Sequence, residues 1–149
     1  MNITRSVLKA AGKFLPVGVA DAHCDIPCGI YDPRDAIQAA ETVVKMTQLI
    51  LDLEKKGLKT AADYAQIARY TIVKEEHARK AKNDILIIWT DYFNAKRMAG
   101  HADLHEQVWN ACKLGSFVKQ NVDIAKANEF KAALEKIGEI FWAAKKAGL

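Results

Sequence analysis

From residue 33 onward, apolar side chains recur every three or four positions, which is the spacing of one face of an α-helix. Four such runs follow one another, and we predict helices over about 33–56, 60–94, 103–117 and 123–146. No run alternates apolar and polar residues as a half-buried strand does. Four amphipathic helices with short polar links most commonly bury their apolar faces together. The pattern therefore predicts an all-α fold, an antiparallel four-helix bundle over 34–149.

Helix boundaries are marked by capping residues at the predicted ends. Asp32 precedes Pro33, an order that favours a helix start, and Gly57 follows the first run as a stop signal. Thr60 with Asp63 has the spacing of a capping box for the second helix. These signals support the division into four helices.

Composition and charge exclude several classes of protein. The 149 residues are enough for one domain with a real core, and the net charge is +4. Lysines are interspersed with carboxylates along every segment, so no nucleic-acid-binding stripe is indicated. The longest aliphatic and aromatic run, Ile85 to Trp89, is far shorter than the roughly 20 residues of a membrane span. A mildly positive surface suits small anions.

Residues 1–22 have the pattern of a removable leader or pro-segment. Arg5, Lys9 and Lys13 precede a short apolar stretch, and the small residues Ala20 and Ala22 stand just before residue 23. We expect this segment to be cleaved off; the alternative is a weakly structured N-terminal extension. Removal by an export peptidase or by a dedicated processing protease stays open. We expect a cytoplasmic location, with export through a cleaved signal as the alternative.

Two of the three cysteines lie in the segment HCDIPCGIYDP, residues 23–33. Cys24 and Cys28 are four apart across Pro27, and Gly29 follows, so the chain can turn and bring both sulfurs together. By itself this spacing is compatible with a disulfide as well as a metal site, and it is not the zinc-finger pattern. Cys112 lies alone in a helical run and is interpreted as a small core residue.

Cleavage after Ala22 would change the chemistry of this segment. His23 would then offer an α-amine and an imidazole, and Cys24 would offer its amide nitrogen beside the two thiolates. Two nitrogens and two sulfurs in a plane are typical of Ni(II) or Cu(II), whereas zinc prefers a tetrahedron. With Ala22 still attached, the amine is part of a peptide bond and this donor set cannot form.

The segment resembles the nickel hook of the nickel-containing superoxide dismutases, whose usual motif is HCDxPCGxYDP. Every fixed position of that motif is matched. The resemblance continues through the helical body, in the stretches IVKE from residue 72, WTDYF from residue 89, DLH from residue 103 and IFW from residue 140. It therefore covers essentially residues 23–149.

The resemblance implies an enzyme that converts superoxide to oxygen and hydrogen peroxide, with one nickel ion per chain cycling between two and three positive charges. His23 would supply its amine and an axial imidazole, Cys24 its amide nitrogen and thiolate, and Cys28 the second thiolate. It also implies a homohexamer and prior exposure of His23 by proteolysis.

Four further residues receive roles from the same resemblance. Asp25 and Tyr31 would shape the substrate pocket, with Tyr31 gating the open face of the metal. Pro27 matches a cis proline of the hook, and Tyr92 matches a tyrosine of the helical body that packs near it.

One departure concerns the residues that orient the axial imidazole. The family uses a glutamate on the first helix and an arginine on the second, and the matching positions are Ala39 and His77. Glu41 lies about 200° around the helix from Ala39 and cannot take over its role. His77 either contacts His23 or is a half-buried helix residue; both interpretations stay open.

Other histidines and aromatic residues are given structural interpretations. His101 and His105 lie one helical turn apart and could hold zinc, but no third ligand is evident, so we expect surface or interface residues. Trp89, Trp109 and Trp142 are interpreted as core or oligomer contacts rather than a cofactor site.

Two other functions are compatible with the same residues. One is a nickel or copper carrier or sensor without turnover, which would hold exchangeable metal. The other is a helical interaction protein with a Cys24–Cys28 disulfide and an intact N-terminus.

Overall fold

Four α-helices make up the fold in the computed structural model, which describes residues 30–148. They are α1 (Arg34–Lys56), α2 (Ala61–Ile87), α3 (Leu104–Gln120) and α4 (Ile124–Lys146), and a π-helical turn, Ile88–Tyr92, extends α2. Residues 30–148 contain no strand. The predicted all-α class is confirmed, and the four predicted helices match the observed ones within a few residues.

Two of the three predicted capping signals act as predicted. The exception is Asp32: α1 begins at Arg34, one residue later than predicted, and Pro33 takes the N-cap position. The Asp32 carboxylate still accepts a hydrogen bond from the Arg34 backbone N–H, at 2.9 Å. Gly57 ends α1 with a φ of 84°, a conformation that glycine adopts at little cost. Thr60 and Asp63 form the expected reciprocal capping box at α2.

Neighbouring helices pack in sequence order, and α1 also contacts α4, which closes the antiparallel bundle. Buried side chains of α4 recur at spacings of three and four and are fully shielded from solvent: Phe130, Leu134, Ile137 and Phe141. They meet buried residues of the other helices, among them Val43, Ile85, Ile88 and Leu104. Burial of each large side chain contributes about 1.5–3 kcal/mol.

The burial of side chains along helix α2 changes at Lys74. None of residues 61–73 is buried, whereas Lys74, Ala78, Ala81 and Ile85 are. Lys74 is 1% exposed, and its ammonium donates to the carbonyl oxygens of Val118, Lys119 and Asn121, at 2.6, 3.1 and 2.8 Å. Since these carbonyls lie where α3 ends, the earlier part of α2 projects past α3 by roughly 20 Å, the length of 13 helical residues. We call residues 57–73, the turn after α1 and the part of α2 without buried residues, the projecting hairpin.

The cysteine and tryptophan predictions have mixed outcomes. Cys112 is buried, as predicted, and Trp89 packs against the core. The core interpretation is wrong for Trp109 and Trp142, which are 56% and 38% exposed because they lie on the outer faces of α3 and α4. Their alternative role as oligomer contacts stays a prediction.

None of the helices in residues 30–148 has the length and apolar character needed to cross a membrane.

Candidate active site

The hook consists of residues 23–33, and only its last part is described. His23, Cys24, Asp25, Pro27 and Cys28 lie outside residues 30–148, as does the predicted leader, residues 1–22. The described chain begins with the exposed Ile30 and continues into the buried Tyr31. Tyr31 therefore shows where the hook joins the bundle.

Tyr31 is buried in a group of aromatic side chains at one end of the bundle. Its ring meets that of Tyr92 edge to face, with centroids 5.9 Å apart, and Tyr92 in turn lies 4.2 Å from Phe141 and 5.2 Å from Phe93. All four residues are at most 7% exposed. We call them the aromatic end cluster. Edge-to-face and offset ring pairs each add about 0.5–1.5 kcal/mol beyond burial, so this cluster anchors Tyr31 firmly.

The π-helical turn positions two members of this cluster. The Phe93 backbone N–H donates to the Ile88 carbonyl oxygen, five residues earlier, at 3.2 Å. A turn of this width has more than four residues, so the fourth and fifth residues after Ile88 can both face the core. Tyr92 and Phe93 are consecutive, and both are buried.

A close approach between α1 and α4 fixes the end of the hook. A Cβ atom on Gly138 would lie 3.1 Å from Ile37 Cδ1 and 3.6 Å from Pro33 Cβ. Glycine at this position therefore lets the first turn of α1 pack directly on α4. This packing holds Pro33, the last hook residue, in a buried position.

Charged groups surround the start of α1. Hydrogen bonds from Arg34 lower the pKa of Asp32, and the charge of Lys145 acts in the same direction. Arg34 Cζ lies 5.8 Å from the ring centroid of Trp142, and Lys145 Nζ lies 5.3 Å from the same centroid. Two cations thus lie at the outer rim of the bundle end where the hook joins it.

Ala39 and His77, the two positions that depart from the family pattern, both lie within the described residues. Ala39 is buried on α1 and offers no polar group. His77 is half-buried, and its Nδ1 lies 2.9 Å from the Val73 carbonyl oxygen of the same helix. If Nδ1 carries the proton of that bond, Nε2 is the nitrogen left for another partner. A contact between His77 and His23 stays a prediction.

His101 and His105, predicted to be surface or interface residues, differ in their exposure. His105 is exposed and stacks on Trp89 with ring centroids 5.4 Å apart, and His101 is half-buried. Residues 30–148 contain no group of three or more histidine, cysteine, aspartate or glutamate side chains that could hold a metal ion.

One residue at this end of the molecule escaped the sequence reasoning. The Arg97 guanidinium lies over the Tyr92 ring, with Cζ 4.4 Å from the centroid. It belongs to the connection between α2 and α3, which has no helical periodicity to reveal which side chains turn inward. The sequence signal that could have indicated this contact is Asn94, because asparagine often starts a turn.

The fold and the segment that enters it define a class of protein: a helical bundle whose candidate metal-binding chemistry lies in the chain just before the first helix. The sequence profile of the nickel-containing superoxide dismutases matches residues 18–145. The chain belongs to this family.

Individual relatives agree with the family profile. The nickel superoxide dismutase of Streptomyces coelicolor is 32% identical over 134 residues, and that of Streptomyces seoulensis is 35% identical over 137 residues. Each alignment covers 90% of this chain and 96% of the relative.

Solved structures extend the likeness to the fold. The native structure of a nickel superoxide dismutase superposes with a TM-score of 0.70 at 31% identity, covering 83% of this chain and 99% of that one. A structure whose nickel ligation corresponds to the oxidised state gives a TM-score of 0.73 at 32% identity, with the same coverage. Family membership assigns the reaction, superoxide dismutation, and the metal, nickel.

Proposed function

We propose that residues 23–33 form the nickel-binding hook of this superoxide dismutase. His23 supplies its α-amine and imidazole, Cys24 its amide nitrogen and thiolate, and Cys28 a second thiolate. The observation that carries the proposal is the burial of Tyr31 against Tyr92, which ties the hook to a rigid part of the bundle. A preorganised binding loop needs an anchor of this kind.

The chemistry of the donor set fits nickel. Amine, amide and thiolate donors from these residues would suit divalent nickel, and the anionic donors would stabilise its higher oxidation state. Nickel so bound supplies one-electron redox chemistry. The reaction consumes two superoxide anions and two protons and yields one O2 and one H2O2. The chain's own residues must therefore admit an anion and deliver protons.

The hook and the aromatic end cluster divide these tasks. Tyr31 gates the approach to the metal, and its hydroxyl is a candidate proton donor. Asp25 shapes the pocket beside it, and Pro27 fixes the turn between the two cysteines. Tyr92 supports Tyr31 from the bundle through their edge-to-face contact. His77 is the candidate partner for the His23 imidazole, through Nε2.

The charge distribution favours an anionic substrate. The net charge is +4, and Arg34 and Lys145 lie at the rim beside the hook. A positive rim raises the encounter rate with a small anion and makes that rate fall with ionic strength.

Maturation requires removal of residues 1–22, because a free amine at His23 is part of the donor set. A processing protease that acts in the cytoplasm, where cysteines stay reduced, fits a site built on two thiolates.

We propose that the mature chain assembles as a homohexamer whose hooks are covered by neighbouring chains. Large apolar side chains on the outer surface support such an assembly: Tyr64, Ile72 and Trp109 are each more than half exposed. An eleven-residue hook cannot shield a metal ion by itself, so a neighbouring chain would complete its enclosure.

The decisive experiment compares two forms of the chain, one starting at Met1 and one with a free His23 terminus. Each is loaded with nickel, and metal content, oligomer mass and superoxide removal are measured. We expect stoichiometric nickel and turnover only with free His23. Equal activity in both forms would contradict the ligand set, and nickel retention without turnover would indicate a carrier.

A further inference from the structure

Arg97 contacts Tyr92 in two ways. Its guanidinium lies over the ring face, and Nη1 donates a hydrogen bond to the Tyr92 carbonyl oxygen at 2.6 Å. That carbonyl lies at the end of the π-helical turn, where backbone acceptors lack helical partners. One side chain therefore fixes both the backbone and the ring of Tyr92.

The local sequence places Arg97 for this contact. Asn94 Oδ1 accepts hydrogen bonds from the backbone N–H groups of Lys96 and Arg97, at 3.1 and 3.0 Å. This turn, stabilised by a side chain, reverses the chain just after Phe93. The side chain of Arg97 then returns to Tyr92, five residues earlier.

Two buried polar atoms lie in this contact. The Tyr92 hydroxyl and Arg97 Nε are buried, and neither has a hydrogen-bond partner within residues 30–148. Tyr92 as a whole is 4% exposed. A buried hydroxyl without a partner costs about 1–3 kcal/mol, so the Tyr92 hydroxyl is poised for a partner from beyond the described residues. The hook continues directly from Tyr31, the neighbour of Tyr92.

We propose that Arg97 is a positioning residue for superoxide dismutation: it holds Tyr92 so that the Tyr92 hydroxyl faces the hook beside Tyr31. The proposal rests on the proposed function of the hook. Arg97 acts through Tyr92, since its guanidinium is engaged with the ring and the carbonyl oxygen. A planar guanidinium can stack and donate at once, which a lysine ammonium cannot match.

The test uses Arg97→Met, which keeps the length of the side chain, and Arg97→Lys, which keeps the charge. Arg79→Met is the control, because it removes the same charge from an exposed position on α2. Far-UV circular dichroism and thermal melts check that every variant is folded.

The first measurement needs no nickel. Protein labelled with 3-fluorotyrosine gives 19F signals from its four tyrosines, and Tyr92→Phe assigns the signal of interest. We expect Arg97→Met to shift the Tyr92 signal and leave that of the exposed Tyr64 unchanged. Arg97→Lys should move the signal part of the way, and Arg79→Met should leave it unmoved.

The second measurement is the rate of superoxide removal per bound nickel as a function of ionic strength. We expect Arg97→Met to lower kcat/KM by about 10-fold, with little change in the dependence on salt, because misplacement of a group near the reaction reduces rate at every ionic strength. Arg97→Lys should restore only part of the rate.

Three results would overturn the proposal. One is an unmoved Tyr92 signal in Arg97→Met, and another is a moved signal with the rate within twofold of wild type. The third is full rescue by Arg97→Lys with a weaker salt dependence in Arg97→Met, which would show electrostatic attraction instead. A wild-type protein that holds nickel but removes no superoxide would contradict the proposed function itself, whatever the 19F signals show.

Discussion

At the end of the bundle next to Tyr31, four aromatic residues are almost completely buried, whereas residues 61–73 at the opposite end contain no buried side chain. Both ends belong to the same antiparallel helices. The aromatic end cluster is stabilised within the chain, by ring contacts and by the close approach of α1 to α4 at Gly138. Residues 61–73 of the projecting hairpin, in contrast, carry large apolar side chains on the outside, Tyr64 and Ile72.

This difference in packing suggests different roles for the two ends. Residues that position catalytic groups must be fixed before substrate arrives, so their packing has to be complete. Exposed apolar side chains on a projecting hairpin are instead suited to association with another chain. We therefore propose that the aromatic end cluster supports catalysis and that the projecting hairpin contributes to assembly.

The largest effect is expected from the hook thiolates. Cys24→Ser or Cys28→Ser in the free-His23 protein should reduce nickel retention and superoxide removal to background, because each removes an anionic soft donor. Far-UV circular dichroism should stay unchanged. Cys112→Ser, a change in the buried body of the protein, is the control and should keep its nickel. Loss of nickel from the control as well would contradict the assignment of metal binding to the hook.

The stability contrast between the two ends is tested by Phe141→Ala against Tyr64→Ala. Phe141 is fully buried in the aromatic end cluster, so its truncation should cost about 3–5 kcal/mol in the free energy of unfolding. Tyr64 is 57% exposed, and its truncation should change that free energy by no more than about 0.5 kcal/mol. Urea denaturation of the nickel-free chain measures both. Similar losses would mean that the hairpin is packed as tightly as the cluster.

Lys74 marks the border between the two regions, and its replacement should have an intermediate effect. Lys74→Met keeps the aliphatic stem but removes the donor to three carbonyl groups where α3 ends, which should cost about 2–3 kcal/mol. The exposed Lys136→Met is the matched control and should be close to neutral. Hydrogen exchange should show faster opening at the end of α3 in Lys74→Met. Equal melting temperatures for the two variants would argue against a stabilising role for the buried ammonium.

The smallest effect concerns Asp32, and it depends on pH. Hydrogen bonds from Arg34 lower the pKa of Asp32 below the ordinary 3.8, so the ionised carboxylate stabilises the folded state above that value. This contribution is lost as pH falls through the lowered pKa. Asp32→Asn should therefore lower the urea midpoint slightly at pH 7, and the difference from wild type should shrink in acid.

Asp35→Asn, in the first turn of the same helix, is the control for Asp32→Asn. A difference between wild type and Asp32→Asn that persists unchanged at acid pH would mean that the carboxylate charge is not its source.

Local signals predicted most of the fold. Gly57 and the Thr60–Asp63 pair bound their helices because caps act within a few residues of chain. The ligand set of the hook, which the resemblance to the family implies, also comes from residues close in sequence, and it stays a prediction. The family comparison supports the reaction and the metal.

What the sequence could not reveal depends on geometry between distant or irregular segments. Helical spacing identifies an apolar position but does not tell whether a face such as that of Trp109 is covered within one chain. The contact of Arg97 with Tyr92 depends on the path of a non-helical connection. The bonds from Lys74 join residues more than 40 positions apart.

The π-helical turn has a consequence for how this chain tolerates changes in length. Ile88, Tyr92 and Phe93 all face inward only because one turn holds an additional residue. Deleting a single residue there would rotate the following side chains by about 100° and exchange an interior ring for a solvent-facing one. The connection from 95 to 102, in contrast, can vary in length as long as the Asn94 turn remains. Insertions and deletions should therefore be tolerated after this turn and selected against within it.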